Sequence, residues 1–352
     1  MAVNLIKKYF RKGFNDQLKY HNILKGSYNV STYVIGMALN ISTKCQHKCE
    51  RCFGHLSNYN GDEFMDFTTA IKATEYLLKM IKTQPCHINI YGGEPLLNWD
   101  MLKEYIHWFA SLKIDRTSLS TETNGIALNE EIINYHIEHR TNLCISLDGP
   151  YEFHSNKVSK TEFNHIINMI QYGVKKNHEH ISIHCVVKKN NITNLDRILS
   201  FIISLGVKNI NIGRDLREIW TDFDRFQIIE ILKRIAVNFD GIIRPLTEGT
   251  FDCTSCKSIA LMFYPNGDVY DACYNFACTS TLNNINSQFN ISNFFLGNLY
   301  KDINYSPDLV LTKNQLKENL KCYLINADIK ETARLIYGKP NKRLFFPIQD
   351  FK

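Results

Sequence analysis

The chain has 352 residues, 44% hydrophobic and 22% charged, and 41 basic against 35 acidic side chains leave a net charge of +6. This is ordinary usage for a folded soluble chain and excludes intrinsic disorder, while Gly 17 and Pro 8 exclude collagen-like and proline-rich architectures. No stretch approaches the roughly 18 uninterrupted apolar residues of a membrane span, the N-terminal residues lack a signal peptide's apolar core, and the basic residues are scattered where a nucleic-acid binder would gather them in a stripe. The expectation is a cytoplasmic protein with no membrane span and no nucleic-acid partner.

In residues 1–32, Leu5, Ile6, Tyr9, Phe10 and Phe14 recur at the spacing of an amphipathic helix, interleaved with Lys7, Lys8, Arg11 and Lys12. Such a helix can dock across the end of a barrel, lie on a membrane surface or grip a peptide. From residue 33, short apolar runs predict strands at 33–41, 86–91, 117–121, 142–147, 180–187 and 207–212. Between and after them, helical periodicity predicts helices at 69–81, 101–112, 130–139, 162–175, 195–205 and 223–238. Strands alternating with helices of this length argue for βαβ units and a parallel sheet, and six units are too few for a complete eight-stranded barrel. The sheet is therefore open or part of a barrel. After residue 243 a hairpin is predicted over 252–271, turning at Pro265-Asn266-Gly267-Asp268, where Asn-Gly signals a positive φ. Residues 279–293 are polar and rich in Asn, which predicts a long loop.

Cysteine is the anomaly, with 11 residues in a chain expected in a reducing compartment. Cys45, Cys49 and Cys52 form one group; Cys253, Cys256, Cys273 and Cys278 form another, and both point to metal. Three thiolates on one loop can hold three corners of a cubane cluster and leave the fourth iron open to a small molecule. Zinc is the alternative, with His47 or His55 as fourth ligand, and a small zinc knuckle is the alternative at the second group. Cys86, Cys144 and Cys185 fall within strand patterns, as small apolar packing residues do. His136, His139, His178 and His180 fall near helix ends and polar loops, where a solvated imidazole is expected.

Four motifs in order, each after a predicted strand, carry a family resemblance. They are Cys45-Gln-His-Lys-Cys49-Glu-Arg-Cys52, Tyr91-Gly92-Gly93-Glu94-Pro95, Ser120-Thr121-Glu122-Thr123-Asn124-Gly125 and Ser146-Leu147-Asp148-Gly149-Pro150. The set resembles the radical S-adenosylmethionine (SAM) enzymes, in the branch that modifies peptides and proteins. The resemblance implies an α/β fold, a partial (βα)6 barrel, with Cys45, Cys49 and Cys52 holding a SAM-binding 4Fe-4S cluster. Gly92, Gly93, Glu94 and Pro95 would face the amino group of the SAM methionine, with Thr123 and Asn124 toward its ribose and carboxylate. Ser146 and Asp148 would complete the cradle, and Lys157 stands where relatives carry an arginine that reaches the SAM carboxylate. Arg51 occupies the place before the third cysteine that is often aromatic in relatives.

The second cysteine group, the Tyr264-to-Cys273 hairpin and Leu296-Gly297-Asn298 resemble the C-terminal extension called SPASM, or its shorter form, twitch. That implies a small α+β domain with one auxiliary 4Fe-4S cluster on Cys253, Cys256 and Cys273. Cys322, Cys278 or the substrate would complete it; a Cys278 left free could donate a hydrogen atom to a substrate radical. The expected organisation is a helical segment at 1–32, a barrel at 33–242 and the auxiliary domain at 243–352. The resemblance implies reductive cleavage of SAM to a 5'-deoxyadenosyl radical, with electrons from a flavodoxin- or ferredoxin-type donor. The expected substrate is a ribosomally made peptide, receiving a cross-link, a thioether or an epimerised centre. Dehydrogenation or epimerisation of a small antibiotic precursor is the alternative reaction, and a zinc-stabilised non-catalytic binding protein is the alternative of another class.

Overall fold

The structure is a computed structural model that describes residues 33–47, 49, 52, 63–81, 86–115, 117–215, 218, 221–245, 258–271 and 295–301. The expected N-terminal helix, the polar stretch 279–293, and Cys253, Cys256, Cys273, Cys278 and Cys322 lie outside the described residues.

Seven strands, β1 (Tyr33–Ser42), β2 (Cys86–Gly92), β3 (Thr117–Thr123), β4 (Asn142–Ser146), β5 (Ile181–Val187), β6 (Asn209–Arg214) and β7 (Ile242–Pro245), run parallel in sequence order. The helices between and after them are α1 (Phe67–Ile81), α2 (Trp99–Ser111), α3 (Glu130–Glu138), the short α4 (Tyr151–His154), α5 (Lys160–Asn177), α6 (Leu195–Ser204) and α7 (Asp222–Asn238). Every strand and helix expected between residues 33 and 239 is present, with bounds differing by a few residues. Local chemistry starts several of them. Asn129 Oδ1 accepts from the Ile132 amide at 2.9 Å, and Ser159 with Glu162 and Thr221 with Asp224 form capping boxes, each worth about 1 kcal/mol.

Period-two alternation sorts each strand into two faces. Met37, Leu39, Ile41, Ile88, Ile90, Leu143, Ile145, Ile183, Ile210 and Ile212 point into one core with Leu77, Ile106, Ile133, Ile170, Leu199 and Leu232 from the helices. The intervening strand residues, among them Asn40, Asn89, Ser120, Glu122, Ser146, His184 and Asn211, belong to the opposite face and are mostly polar. A parallel sheet covered by helices on both sides is apolar throughout. Here the helices cover one face, and the polar face lines the lumen of a partial barrel.

The sheet does not stop at six strands. Among the described residues it has ten, in the order β10-β9-β8-β1-β2-β3-β4-β5-β6-β7, with β8 (Ser258–Phe263), β9 (Asp268–Asp271) and β10 (Phe295–Asn298) beyond β1. β8 and β9 form the expected hairpin, and Gly267 has the positive φ, at 84°, that its turn requires. The new feature is that β8 lies parallel to β1, with Met37 opposite Leu261 and Leu39 opposite Phe263. No helix among the described residues is long and apolar enough to cross a membrane.

Two expectations are corrected. His136 is fully buried, with Nδ1 bonded to Thr141 Oγ1 at 2.7 Å. Burial, aided by His139 and His180, pulls its pKa down to about 3, so the ring is neutral. It falls on the apolar stripe of α3 with Ile132 and Ile133, which outweighs its place near a helix end. Cys86 and Cys185 join the core as expected, but Cys144 alternates onto the lumen face, where its Sγ accepts from Asn211 Nδ2 at 3.6 Å.

Candidate functional site

The cysteine loop leaves β1 at Ser42 and is held against the turn after β2. The Gly93 amide donates to the Ser42 carbonyl at 2.6 Å, and the Glu94 amide donates to the Lys44 carbonyl at 2.8 Å. Both glycines are needed for that approach. A Cβ on Gly92 would stand 2.2 Å from Ser42 O, and one on Gly93 would stand 2.2 Å from Lys44 O. Gly92 also has φ 148°, outside the range L side chains favour. Asn98 adds a clamp that no motif announced: its Nδ2 donates to the carbonyls of Ile41 at 3.1 Å and Met65 at 2.9 Å.

Glu94 and Pro95 begin a 3-10 turn over Pro95–Asn98, with Glu94 as its cap and Pro95 pre-set at the first position. The Glu94 carboxylate is fully buried. It accepts from the Leu96 amide at 3.0 Å, Thr123 Oγ1 at 2.7 Å and the Asn124 amide at 2.8 Å. Burial still pushes its pKa up despite those donors. From the same β3 turn, Asn124 Nδ2 donates to Cys45 Sγ at 3.8 Å, and Asn124 Oδ1 accepts from the Ile126 amide at 3.0 Å. The ends of β1, β2 and β3 thus form one bonded rim.

A second unit follows β4. Asp148 is 2% exposed, and its Oδ1 accepts from the Val186 amide at 3.1 Å, while Lys157 Nζ pairs with Oδ2 at 2.8 Å. His154 lies beside it, its Nδ1 accepting from the Asp148 amide at 3.3 Å. Burial would raise the Asp148 carboxyl, but Lys157 and His154 outweigh it and hold the group well below the usual carboxylate range. Lys157 shifts the opposite way, upward, the carboxylate overcoming the cost of its burial.

Cys45, Cys49 and Cys52 are half-buried thiols on one loop. Burial pushes Cys45 up, with Glu94 and the two other cysteines adding to it against the His47 amide; burial likewise pushes Cys49 up, with Lys157 opposing. A bound metal removes that penalty, since a coordinating thiol is deprotonated outright. Among the described residues no three His, Cys, Asp or Glu side chains converge on a point for a single metal ion. A 4Fe-4S cluster asks for less convergence, because each thiolate binds a different iron. Three half-buried thiols in one another's field on one loop fit that group.

Residues 39–202, from β1 through most of α6, match the Radical SAM superfamily. That segment is a radical SAM domain. Among its relatives, the uncharacterized protein MJ0907 of Methanocaldococcus jannaschii is 27% identical over 187 residues, covering 50% of this chain and 60% of that one. The radical SAM cyclopropyl synthase TigE of Paramaledivibacter caminithermalis is 24% identical over 255 residues, covering 64% of this chain and 53% of TigE. The chain therefore spans little more than half the length of these curated relatives. Among solved structures, native anSMEcpe with bound AdoMet and Kp18Cys peptide superposes with a TM-score of 0.60 at 16% identity, covering 80% of this chain and 81% of that one. Streptococcus suis SuiB bound to precursor peptide SuiA gives a TM-score of 0.54 at 16% identity, covering 74% of this chain and 63% of that one. These likenesses establish the radical SAM fold.

Within that superfamily frame, the structure brings Cys45, Gly92, Gly93, Glu94, Thr123 and Asn124 together at the ends of β1 to β3. Asp148 and Lys157 form their own pair in the electrostatic field of Cys49. Ser146 sits on the lumen face beside His184 of β5. Two details escaped the motifs. The glycines make room for the cysteine loop itself, and Glu94 spends its oxygens on Leu96, Thr123 and Asn124. Only the partner's position in space reveals either, although a glycine pair before a buried Glu-Pro cap is a signal that close packing is required.

Proposed function

We propose that the chain cleaves SAM reductively and uses the product radical to modify a peptide. The observation that carries this reading is the rim itself, where one run of hydrogen bonds ties Cys45 to Asn124, Asn124 to Glu94 and Glu94 to the cysteine loop. When bound, a 4Fe-4S cluster with SAM supplies a 5'-deoxyadenosyl radical able to take a hydrogen atom from a substrate. Cys45, Cys49 and Cys52 would hold that cluster. The Glu94 carboxylate, pushed up by burial, gains by receiving an ammonium such as that of methionine. Gly92 and Gly93 keep the loop from spreading, so that the thiols and Glu94 hold one spacing. Thr123 and Asn124 orient Glu94 and shield Cys45. Ser146, Asp148 and Lys157 line the β4 side, where Lys157 offers positive charge to a carboxylate near Cys49.

A peptide substrate is supported by the Asp148-Gly149-Pro150 motif and by the fold shared with anSMEcpe and SuiB, whose structures contain peptides. We further propose one auxiliary 4Fe-4S cluster in a domain over 243–352, on Cys253, Cys256 and Cys273, completed by Cys322, Cys278 or substrate. The antiparallel hairpin supports it, because Ser258 opens β8 and Asp271 ends β9 at the same end of the pair, next in sequence to Cys256 and Cys273. A flavodoxin- or ferredoxin-type protein would supply electrons.

The test is iron and acid-labile sulfide per chain after anaerobic reconstitution, in the wild type and in a variant with Cys45, Cys49 and Cys52 all changed to Ala. About eight irons falling to about four is expected. Dithionite with SAM should then yield 5'-deoxyadenosine and methionine from the wild type only. Zinc in place of iron at both sites would overturn the reading.

A further inference from the structure

The side chain of Asn124, in the turn after β3, is fixed at both ends. Its Oδ1 accepts from the Ile126 amide at 3.0 Å and from Gln46 Nε2 at 3.4 Å, which fills the two lone pairs of that oxygen. Those donors settle which end of the amide is oxygen, so the NH2 faces the other way. It faces the cysteine loop, where Nδ2 donates to Cys45 Sγ at 3.8 Å. The His47 amide donates to the same sulfur at 3.5 Å.

The backbone holds this donor still. The Asn124 amide is bound to the Glu94 carboxylate at 2.8 Å, and the Gly125 amide to Thr123 Oγ1 at 3.0 Å. Gly125 takes a φ of 84° that an L side chain rarely adopts, and a Cβ there would crowd Ile145 at 3.1 Å. The motif resemblance directs Asn124 toward the ribose and carboxylate of SAM, yet its side-chain bonds direct it toward a cysteine. Hydrogen bonds to the ligand sulfurs are among the influences that set the reduction potential of an iron–sulfur cluster. Reduction adds negative charge, so an N–H dipole aimed at a thiolate favours the reduced state more than the oxidised one.

We propose that Asn124 is a positioning residue that aims an N–H at Cys45 and thereby raises the potential at which a cluster on Cys45, Cys49 and Cys52 is reduced. The inference rests on the reading of those three cysteines as cluster ligands, and it gives a residue of the SAM-contacting motif a redox role.

The test uses the anaerobically reconstituted full chain without SAM, in a mediated redox titration read by EPR. Asn124→Leu keeps the volume and removes the donor. It should lower the reduced-to-oxidised ratio at a fixed potential about fivefold, equal to about 40 mV for a one-electron couple. Asn124→Asp keeps an acceptor for the Ile126 amide and Gln46, so it preserves the turn, and it should lower the ratio further. Exchange into D2O should shift the iron–thiolate Raman bands of the wild type, and the shift should shrink in Asn124→Asp, which a change of charge alone would not cause. A ratio in Asn124→Leu within about twofold of wild type overturns the proposal, whether or not SAM affinity falls. An undiminished deuterium shift in Asn124→Asp overturns it as well. Zinc in the reconstituted wild type overturns this inference and the functional reading together. A cluster that shows both effects but releases no 5'-deoxyadenosine with SAM and dithionite overturns the functional reading alone.

Discussion

Replacing Gly93 by Ala tests whether the rim is built as described. The added Cβ would lie 2.2 Å from Lys44 O, 2.6 Å from Lys44 C and 3.0 Å from Thr43 O. All three are backbone atoms, which cannot rotate aside as a side chain would. The first contact is more than about 1 Å shorter than ordinary van der Waals separation. Gly93 lies outside the left-handed region, so Ala can adopt its backbone and the test isolates steric contact from conformational strain. Relief requires the two loops to part by about 1 Å, which breaks the hydrogen bonds at 2.6 and 2.8 Å that join them. With about 1 kcal/mol for each bond and about 1–3 kcal/mol for overpacking, the substitution should cost about 3–5 kcal/mol. The strain falls on the cysteine loop, so the expected outcome is a lowered urea midpoint together with iron retention below half of wild type after reconstitution. Full iron content with an unchanged midpoint would refute the reasoning, because it would mean the loops have slack that the contacts deny. Gly92→Ala adds an unfavourable φ to an equally short contact, 2.2 Å from Ser42 O, and should be worse.

Glu94→Gln replaces an acceptor-only group with one whose NH2 must face Thr123 Oγ1 or the Asn124 amide; a cost of about 1–3 kcal/mol and at least about tenfold weaker SAM binding by equilibrium dialysis are expected. Unchanged SAM affinity would remove Glu94 from the ammonium site. Lys157→Met strands the buried Asp148 carboxylate and should cost about 3 kcal/mol at pH 7, the low end for a broken buried pair because the lysine is partly exposed. Asp148 titrates below its unfolded value, so the pair's stabilisation is complete above about pH 4 and is lost as pH falls toward the folded value. The gap in urea midpoint between wild type and variant should therefore narrow from pH 7 to pH 3, and a constant gap would contradict the ion pair. Leu199→Ala empties a fully buried position of α6 remote from the rim, and should cost about 2–5 kcal/mol in thermal unfolding while leaving iron content intact. Loss of iron in that variant would show that the core and the cysteine loop are not separable.

The sequence alone determined what depends on neighbours along the chain. Short apolar runs announced the strands, helical periodicity announced the helices between them, and Asn266-Gly267 marked a turn whose φ is positive. The order of strands and helices, and the motifs at strand ends, follow from such short-range chemistry. Tertiary structure decided the rest. β8 is an apolar run that fits several places in a sheet, and only its register against β1 puts the hairpin beside the cysteine loop's strand. His136 looked like a solvated helix-end residue until α3 packed it against Trp99. Gly93 owes its identity to Lys44, and Glu94 owes its to Thr123 and Asn124. Each of those relations joins groups far apart in the chain. Hydrogen bonds and steric contacts act over a few ångströms of space, so residue spacing in sequence carries no record of them until the sheet has formed.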